Sequence, residues 1–334
     1  MTLSDPRFLS LTDWLCQHFN TPVLPRLISG DASFRRYYRV QYLSVSYIAV
    51  DSPPNLVPIE PFVDLASVYQ ERGVNVPQVI AQHADMGFML LSDLGDIQLL
   101  SQLTDDNVVT HYQQALDLLP HIAQVTATKK AQLPDYDRAF LVRELGIFTE
   151  WLLDKYLSLS RDADTSAMID DAFAVLIENA LSQPQVGMHR DFHSRNLMLH
   201  DNRLWVIDFQ DAVLGPVTYD AVSLLRDCYV RWPDAVVEQL SHYHYQQCLQ
   251  RQVIDEKVSF TQYQRWFDLM GLQRHIKAAG IFVRLNLRDH KMGYMADIPL
   301  TLTYIHDIAA RYPELKAFSL WIASTVIPAF KAKQ

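Results

Sequence analysis

Apolar and polar residues alternate in several short runs in the first part of the chain, and this two-residue period is typical of β-strands. Pro53 and Pro54 close the third run, because proline cannot donate a hydrogen bond to a strand ladder. The predicted strands are residues 25–29, 34–40, 47–50, 78–83 and 88–91. Together they predict a five-stranded antiparallel sheet.

One helix interrupts these strands at residues 61–72, where apolar residues recur every three or four positions and Gly73 follows as a C-terminal cap. After Gly95 the apolar period becomes helical. The predicted helices are residues 107–127, 138–156, 165–181, 221–229, 233–250, 259–287, 300–312 and 314–326, the last stopped by Pro328. We therefore expect an α+β chain, with a β-rich domain over residues 1–95 and a larger, mainly helical domain over residues 96–334.

The chemistry of the chain is concentrated in one polar loop. His189, Asp191 and Asn196 follow the spacing H-x-D-x-x-x-x-N, and Asp208 comes later, at the end of another apolar run. Phosphoryl transfer needs an acceptor hydroxyl held in line, a carboxylate to take its proton, and oxygen ligands for Mg²⁺. The pattern gives the carboxylate role to Asp191 and the Mg²⁺ ligands to Asn196 and Asp208.

The context of the loop supports this assignment. Two apolar runs, residues 186–188 and 197–199, bracket the loop. Asp201 and Asn202 then offer a hairpin turn before an alternating run at residues 204–207. Each motif residue thus lies where the chemistry requires it.

Composition narrows the class of partner. The 334 residues include 29 basic and 38 acidic side chains, which gives a formal charge of −9. Binding of a nucleic-acid backbone needs clustered positive charge, so we expect a small-molecule acceptor and no nucleic acid. No apolar run approaches the roughly 18 residues of a membrane span, and residues 1–6 lack the features of a signal peptide. We expect a cytoplasmic protein with no membrane contact and infer no obligate protein partner.

The loop and the strand after it resemble the aminoglycoside phosphotransferase and choline kinase superfamily, which has a bilobal protein-kinase-like fold. The resemblance rests on His189 to Asn196 and on Ile207-Asp-Phe209, which stands in place of the protein-kinase D-F-G. Further stretches are similar to bacterial anomeric sugar kinases of cell-wall recycling: residues 30–40, 51–54, 90–95, 219–229 and 273–277. The resemblance covers nearly the whole chain and implies ATP- and Mg²⁺-dependent transfer to the C1 hydroxyl of N-acetylmuramate or N-acetylglucosamine.

The nucleotide side lacks one expected residue. A kinase small lobe normally binds the α- and β-phosphates with a lysine on its third strand, yet this chain has no lysine before Lys129. The nearest cations are Arg35 and Arg36, and strand alternation puts them on opposite faces, so we expect only one of them to reach ATP. Gly30 and Ser33, in the preceding turn, would approach the phosphates through backbone N–H groups.

By analogy with the superfamily hinge, adenine is expected against the backbone of residues 91–94. Leu91, Asp93 and Leu94 therefore belong to the expected nucleotide-binding set. Asp93 is expected as a turn or helix-capping residue rather than as a contact of the base.

Five residues are candidates for contact with the acceptor. His193 and Arg195 lie in the catalytic loop, where they either touch the substrate or the transferred phosphoryl group, or stabilise the loop. Asp211 is placed to bind a sugar hydroxyl. Arg274 and Lys277 belong to a basic C-terminal cluster, which is either a site for an anionic sugar or a solvated helix face.

Two alternatives remain open at this stage. The missing strand lysine is also compatible with a pseudokinase, a nucleotide-binding protein that has lost catalysis. The other alternative is an aminoglycoside or other hydroxyl kinase of the same superfamily. Pockets for polycations tend to be lined by carboxylates, and the basic C-terminal cluster argues against an aminoglycoside.

Overall fold

The computed structural model describes residues 5–30 and 34–333. The chain divides into two compact units. Unit 1 comprises Met1–Gln102, Ala127–Ala131 and Arg195–Asp211, and unit 2 comprises Leu103–Thr126, Gln132–Ser194 and Ala212–Gln334. The expected domain boundary near residue 95 remains a prediction. Within the described ranges, no helix is long and apolar enough to cross a membrane.

Unit 1 contains the five-stranded antiparallel sheet that the sequence predicts. Its strands are β1 (Arg26–Gly30), β2 (Arg36–Tyr42), β3 (Val45–Asp51), β4 (Val79–His83) and β5 (Phe88–Ser92), in the order β1-β2-β3-β5-β4. Two further pairs are β6 (Gln185–Met188) with β9 (Val213–Pro216) in unit 2, and β7 (Leu197–His200) with β8 (Arg203–Val206) in unit 1. Each predicted bound of the first five strands lies within two residues of the observed one.

A helix that the sequence analysis did not predict, α1 (Pro6–Phe19), precedes the sheet. Asp5 caps it by accepting the backbone N–H of Arg7 at 3.0 Å. One face of α1 joins the hydrophobic core on one side of the sheet, and its buried residues are Leu11, Leu15 and Phe19. These residues recur every four positions, so the helical period was present in the sequence.

The other parts of unit 1 follow the prediction. Helix α2 (Glu60–Glu71) comes after β3. The β7–β8 hairpin turns at Asp201 and Asn202, whose φ angles of 49° and 57° are those of a type I′ turn. The backbone N–H of Val206 donates to the carbonyl of Asn75 at 2.8 Å and ties β8 to the rest of the unit.

Unit 2 is mainly helical, as expected. Its helices are α3 (Val108–Leu116), α4 (Leu119–Ala123), α5 (Arg138–Ile147), α6 (Ala163–Leu181), α7 (Tyr219–Leu225), α8 (Asp234–Gln250), α9 (Phe260–Asp289), α10 (Ile298–Ala309), α11 (Lys316–Trp321) and α12 (Ile327–Lys331). A π-helix, Phe148–Leu157, continues α5, and a π-helical turn, Ile322–Val326, joins α11 to α12.

Two predicted helices were wrong at prolines. Residues 107–127 form α3 and α4 rather than one helix, because the ring of Pro120 clashes with the carbonyl group four residues earlier, where α3 ends. The last helix does not stop at Pro328. That proline lies in the first turn of α12, where an intrahelical N–H donor is not needed.

The predicted helix at residues 221–229 ends earlier than expected, at Leu225. The side chain of Asp227 accepts the backbone N–H of Tyr229 at 3.1 Å, and such local bonds compete with helix formation. Strand β9 was not predicted. It pairs with β6, in which a Cβ atom on Gly187 would lie 2.2 Å from the carbonyl oxygen of Val125, so only glycine fits there.

Helix α9 spans 30 residues through the core of unit 2. A Cβ atom on Gly280 would lie 2.6 Å from backbone atoms of Ile147 and Phe148. Glycine therefore allows α9 to approach the junction between α5 and the π-helix. This close approach positions the face of α9 that carries buried polar residues, among them Gln273 and Lys277.

Candidate active site

Two carboxylates of unit 2 hold the loop that contains Asp191. Asp220 on α7 accepts the backbone N–H groups of His189 at 2.7 Å and Arg190 at 3.0 Å. Asp227 accepts the backbone N–H of Ser194 at 3.1 Å. Asp220 and Asp227 therefore both bind backbone groups of the loop. Because buried backbone groups need partners, these bonds determine the path of the loop.

His189 supports the loop from inside. Its side chain is fully buried, and its Nδ1 accepts the backbone N–H of Asp191 at 3.2 Å. Arg190, between them, has a φ of 77°, the left-handed region that non-glycine residues rarely adopt. The loop therefore turns sharply at the residue before Asp191.

Asp191 lies in a strongly positive environment. Burial raises the pKa of Asp191, but the positive charges of Lys277, His193, Arg190 and Arg274 outweigh it and lower that pKa to about 2. The carboxylate is thus ionised at all physiological pH values. It can accept a hydrogen bond from a hydroxyl group, although a group of such low pKa is a weak base.

The two predicted metal ligands lie side by side in unit 1. Asn196 Nδ2 is 3.5 Å from Asp208 Oδ2, and the backbone N–H of Ile207 donates to the carbonyl of Asn196 at 3.0 Å. Asp208 has a left-handed φ of 63°, and its Oδ1 accepts Nε2 of Gln210 at 2.6 Å. A local network therefore orients both side chains.

This pair fits Mg²⁺ chemically. A carboxylate supplies one hard oxygen ligand, and an amide supplies a second when its terminal group is rotated by half a turn. Sites for Mg²⁺ typically use one or two protein oxygens and complete their coordination with phosphates and water. Phe209 directly follows Asp208, and its ring packs against two aromatic residues of α2. Its ring centre lies 4.7 Å from that of Phe62, on which Phe209 stacks, and 5.5 Å from that of Tyr69.

The two arginines of the nucleotide side have different partners. Arg36 pairs with Asp51 in the β2–β3 register and forms ion pairs with Asp51 and Asp5. Asp51 is fully buried and also binds Arg7 of α1, with Arg7 Nε donating at 2.8 Å. Arg36 therefore belongs to a charged cluster that attaches α1 to the sheet.

Arg35 directly precedes β2, and its Nε donates to Ser52 Oγ at 3.4 Å. Ser52 directly follows Asp51, so the backbone alternation places Arg35 and Ser52 on the face opposite to Arg36 and Asp51. The side chain of Arg35 is buried. Ser33, the other polar candidate here, lies outside the described residues, and Gly30 ends β1.

The candidates of the adenine segment lie at the end of β5. Leu91 is in β5, and Leu91 and Leu94 are buried. Asp93 accepts Nε of Arg39 at 2.6 Å and the backbone N–H of Gly95 at 2.9 Å. Burial raises the pKa of Asp93, but the bond from Arg39 is among those that bring it below its ordinary value. Asp93 thus has the contacts of a turn residue.

The acceptor candidates are divided between the two units. In unit 2, the ring of His193 packs edge-on against Tyr229 at 5.4 Å, and Arg274 and Lys277 are buried on α9. In unit 1, Arg195 is partly exposed, and Asp211 is exposed with Gln210 Nε2 at 3.5 Å from its carboxylate. Arg274 and Lys277 are therefore not part of a solvated helix face.

A family model described as "Phosphotransferase enzyme family" matches residues 25–251 of this chain. The chain belongs to this family. Phosphotransferases transfer a phosphoryl group, and a carboxylate such as Asp191 and a pair of candidate metal ligands such as Asn196 and Asp208 are side chains that such chemistry uses.

Two curated relatives of this phosphotransferase are both named N-acetylmuramate/N-acetylglucosamine kinase. The one from Pseudomonas aeruginosa is 40% identical over 296 residues, which cover 89% of this chain and 87% of the relative. The one from Pseudomonas putida is 38% identical over 330 residues and covers 96% of each chain.

Solved structures show the fold of the phosphotransferase. The ethanolamine kinase of Plasmodium vivax matches with a TM-score of 0.65 at 12% identity, over 93% of this chain and 89% of its own. An aminoglycoside phosphotransferase APH(4)-Ia, in a ternary complex with AMP-PNP and hygromycin B, matches with a TM-score of 0.59 at 15% identity, over 90% and 97%. The expected protein-kinase-like fold is confirmed.

Sequence reasoning missed one buried carboxylate of this phosphotransferase, Glu144. It lies on α5 beside Leu141 and Leu145, at a position of the helix that is otherwise apolar. A charged residue within such an apolar stripe was the available signal, because buried charges need partners. Its partners, Arg190 and Lys277, come from distant parts of the sequence.

Proposed function

We propose that this phosphotransferase is an ATP-dependent kinase of N-acetylmuramate and N-acetylglucosamine that phosphorylates the anomeric C1 hydroxyl. The observation that carries the proposal is the ionised Asp191 among cations, in a chain whose curated relatives are named as kinases of these two sugars. Such a kinase serves peptidoglycan recycling in the cytoplasm. The pseudokinase alternative has less support, because Asp191, Asn196 and Asp208 are all present.

The proposed reaction starts with the C1 hydroxyl hydrogen-bonded to Asp191. Its oxygen forms a bond to the γ-phosphorus of ATP, the bond from that phosphorus to the β,γ-bridging oxygen breaks, and ADP leaves. The proton of the hydroxyl passes to Asp191 and then to water. Because the transfer is loose and an anomeric hydroxyl is more acidic than the other sugar hydroxyls, a weak base suffices. Asn196 and Asp208 would hold Mg²⁺, which neutralises the charge of the phosphates.

On the nucleotide side, we assign the phosphate-binding cation to Arg35 and not to Arg36. Arg36 is already bound to Asp5 and Asp51, whereas Arg35 lies on the other face of the sheet. A guanidinium can bind phosphate oxygens bidentately and so replace the ammonium of the missing lysine. Residues 91–94 and the backbone of Gly30 and Ser33 would complete the nucleotide site, with residues 1–95 as the nucleotide-binding lobe.

On the acceptor side, we assign Arg274 to the carboxylate of N-acetylmuramate. Its guanidinium lies 5.1 Å from the ring centre of Tyr219, and its Nε and Nη1 have no hydrogen-bond partner within the described residues. Lys277, in contrast, is bound to Glu144 and Tyr219. His193, Arg195 and Asp211 are proposed to contact the sugar hydroxyls or the transferred phosphoryl group.

An acceptor screen with matched variants tests the function. Wild-type protein is incubated with Mg-ATP and, separately, with amino sugars, choline and aminoglycosides, and ADP release is measured. Asp191→Asn should lower kcat at least about 100-fold while ATP binding persists, the usual effect of losing a proton acceptor. Asp208→Ala should remove Mg²⁺-dependent ATP binding as well.

The control is Asp201→Asn, which changes an exposed carboxylate of the β7–β8 turn and should leave kcat unchanged. Turnover of aminoglycosides or choline in place of amino sugars would contradict the proposed substrate class. Equal and small effects of the Asp191 and Asp208 variants would contradict the assignment of their roles.

A further inference from the structure

A buried carboxylate, Glu144, lies between two cations in unit 2. Its Oε1 is 3.1 Å from Arg190 Nη2 and 3.1 Å from Lys277 Nζ. Only 6% of the Glu144 side chain is exposed, and only 10% of that of Lys277. At such burial an ion pair is weakly screened by water, so each charge strongly affects the others.

The second oxygen of Glu144 is also fully used. Oε2 accepts the hydroxyl of Tyr136 and, at 3.2 Å, Nε2 of Gln273. Gln273 and Lys277 are four residues apart on α9 and so lie on the same face. Four donors from three parts of the sequence therefore hold this carboxylate in one position. Glu144 thus gives Arg190 of the loop a fixed partner.

One of the two cations, Arg190, forms the backbone turn next to Asp191. Arg190 directly precedes Asp191 and has the left-handed φ of 77°. Such a backbone is strained and persists only where surrounding contacts hold it. Asp220 accepts the N–H of Arg190, and Glu144 binds its guanidinium. Glu144 thus helps to maintain the turn that presents Asp191.

The other cation, Lys277, is one of four that favour the ionised form of Asp191. Lys277 exerts the largest of the four positive influences that lower the pKa of Asp191. Burial lowers the pKa of Lys277 itself, but the negative charge of Glu144 leads the influences that raise it above its ordinary value. Lys277 therefore stays charged because Glu144 is beside it.

We propose that Glu144 is a positioning residue for the transfer reaction, which keeps Lys277 charged and Arg190 in place, and through them keeps Asp191 ionised and correctly presented. The proposal rests on the proposed function, in which Asp191 receives the proton of the acceptor. The other charged and titratable groups around this cluster are Tyr136, His193, Tyr219, Asp220 and Arg274.

The first test changes Lys277 and measures kcat/KM between pH 2.5 and pH 10, in brief assays at the acid end, because the pKa of Asp191 is about 2 in the wild type. In Lys277→Met, Asp191 loses its strongest cationic neighbour. The acid limb of the profile should move up by about one pH unit or more, the usual effect of a neighbouring opposite charge. In Lys277→Arg, the positive charge is retained and the acid limb should return towards that of the wild type.

The second test changes the charge of Glu144 with little change of shape. In Glu144→Gln, buried Lys277 loses its anionic partner and its pKa should fall, so that kcat acquires a new alkaline limb. We also expect kcat to fall about 10-fold or more, since the turn at Arg190 loses its ion pair with Glu144. The double variant Glu144→Gln/Lys277→Arg should lack the alkaline limb, because arginine does not titrate in this range.

Asp268→Asn is the matched control, since it also removes the charge of a buried carboxylate that pairs with an arginine, Arg226, which directly follows α7. Arg226 Nη2 is 2.5 Å from Asp268 Oδ1. It should lower thermal stability without moving either limb. Unchanged limbs in both Glu144→Gln and Lys277→Met would overturn the proposal. If Glu144→Gln does not fold, the Lys277 variants alone decide.

The profiles are measured with whichever acceptor the wild type uses, or with water if it uses no other. Failure to phosphorylate amino sugars then counts against the proposed function. Limbs that do not move with any acceptor count against the role of Glu144.

Discussion

At the scale of single residues, adjacent side chains in this protein have separate tasks. Arg35 and Arg36 are neighbours in sequence, yet only Arg36 enters the ion cluster of Asp51 and Asp5. Asp191 and Arg190 are likewise adjacent, and Arg190 reaches Glu144. Alternation of side chains in one case and a left-handed backbone in the other separates each pair.

The two arginines lead to opposite expectations. Arg35→Met should raise the KM for ATP about 10- to 100-fold, since a charge-assisted bond is worth about 1.5–3 kcal/mol, with little change in stability. Arg36→Met should lower the free energy of unfolding by about 1–3 kcal/mol and leave the KM for ATP nearly unchanged, because Arg7 still pairs with Asp51. Steady-state kinetics and thermal unfolding measure the two effects. The reverse pattern would exchange the roles of Arg35 and Arg36.

The sequence predicted the residues whose spacing is local. Asp191, Asn196 and Asp208 could be proposed because one loop and one strand carry them. The partners of Glu144 could not be predicted, since they depend on how α5, α9 and the loop pack. Similarly, no sequence pattern showed that Arg36 would bind Asp51, which requires the β2–β3 register.

At the scale of elements, periodic patterns predicted strands and long helices well, and prolines and side-chain bonds changed their ends. Pro120 divides α3 from α4, and Pro328 lies in the first turn of α12 instead of stopping the last helix. Helix α1 was not among the predicted elements, which begin with the β-rich pattern that follows it. Its apolar residues nevertheless recur at helical spacing.

The contribution of α1 to the fold can be measured. Leu15 is fully buried in the core that α1 shares with the sheet, so Leu15→Ala should lower the free energy of unfolding by about 2–5 kcal/mol. Leu9 is on the same helix but is 47% exposed. Leu9→Ala should therefore change the free energy of unfolding by no more than about 0.5 kcal/mol. Chemical denaturation of both variants gives the comparison. Equal losses would show that the packing of α1 is not what stabilises the sheet.

At the scale of the whole molecule, the formal charge of −9 contrasts with the cations around Asp191. Two of these cations, Arg274 and Lys277, are buried in unit 2. Such a site favours a small acceptor that carries a negative group. N-acetylmuramate has this chemistry, and the family supplies the reaction.

The measurement that tests the central claim most directly is the position of the phosphate in the product. The protein is incubated with Mg-ATP and N-acetylglucosamine or N-acetylmuramate, and the product is examined by phosphorus NMR, by an assay for reducing ends, and after mild acid treatment. We expect a sugar 1-phosphate, which has no free reducing end and releases phosphate in mild acid. A product that still has a reducing end and keeps its phosphate in mild acid would contradict the account, because the phosphoryl group would then be on an ordinary hydroxyl.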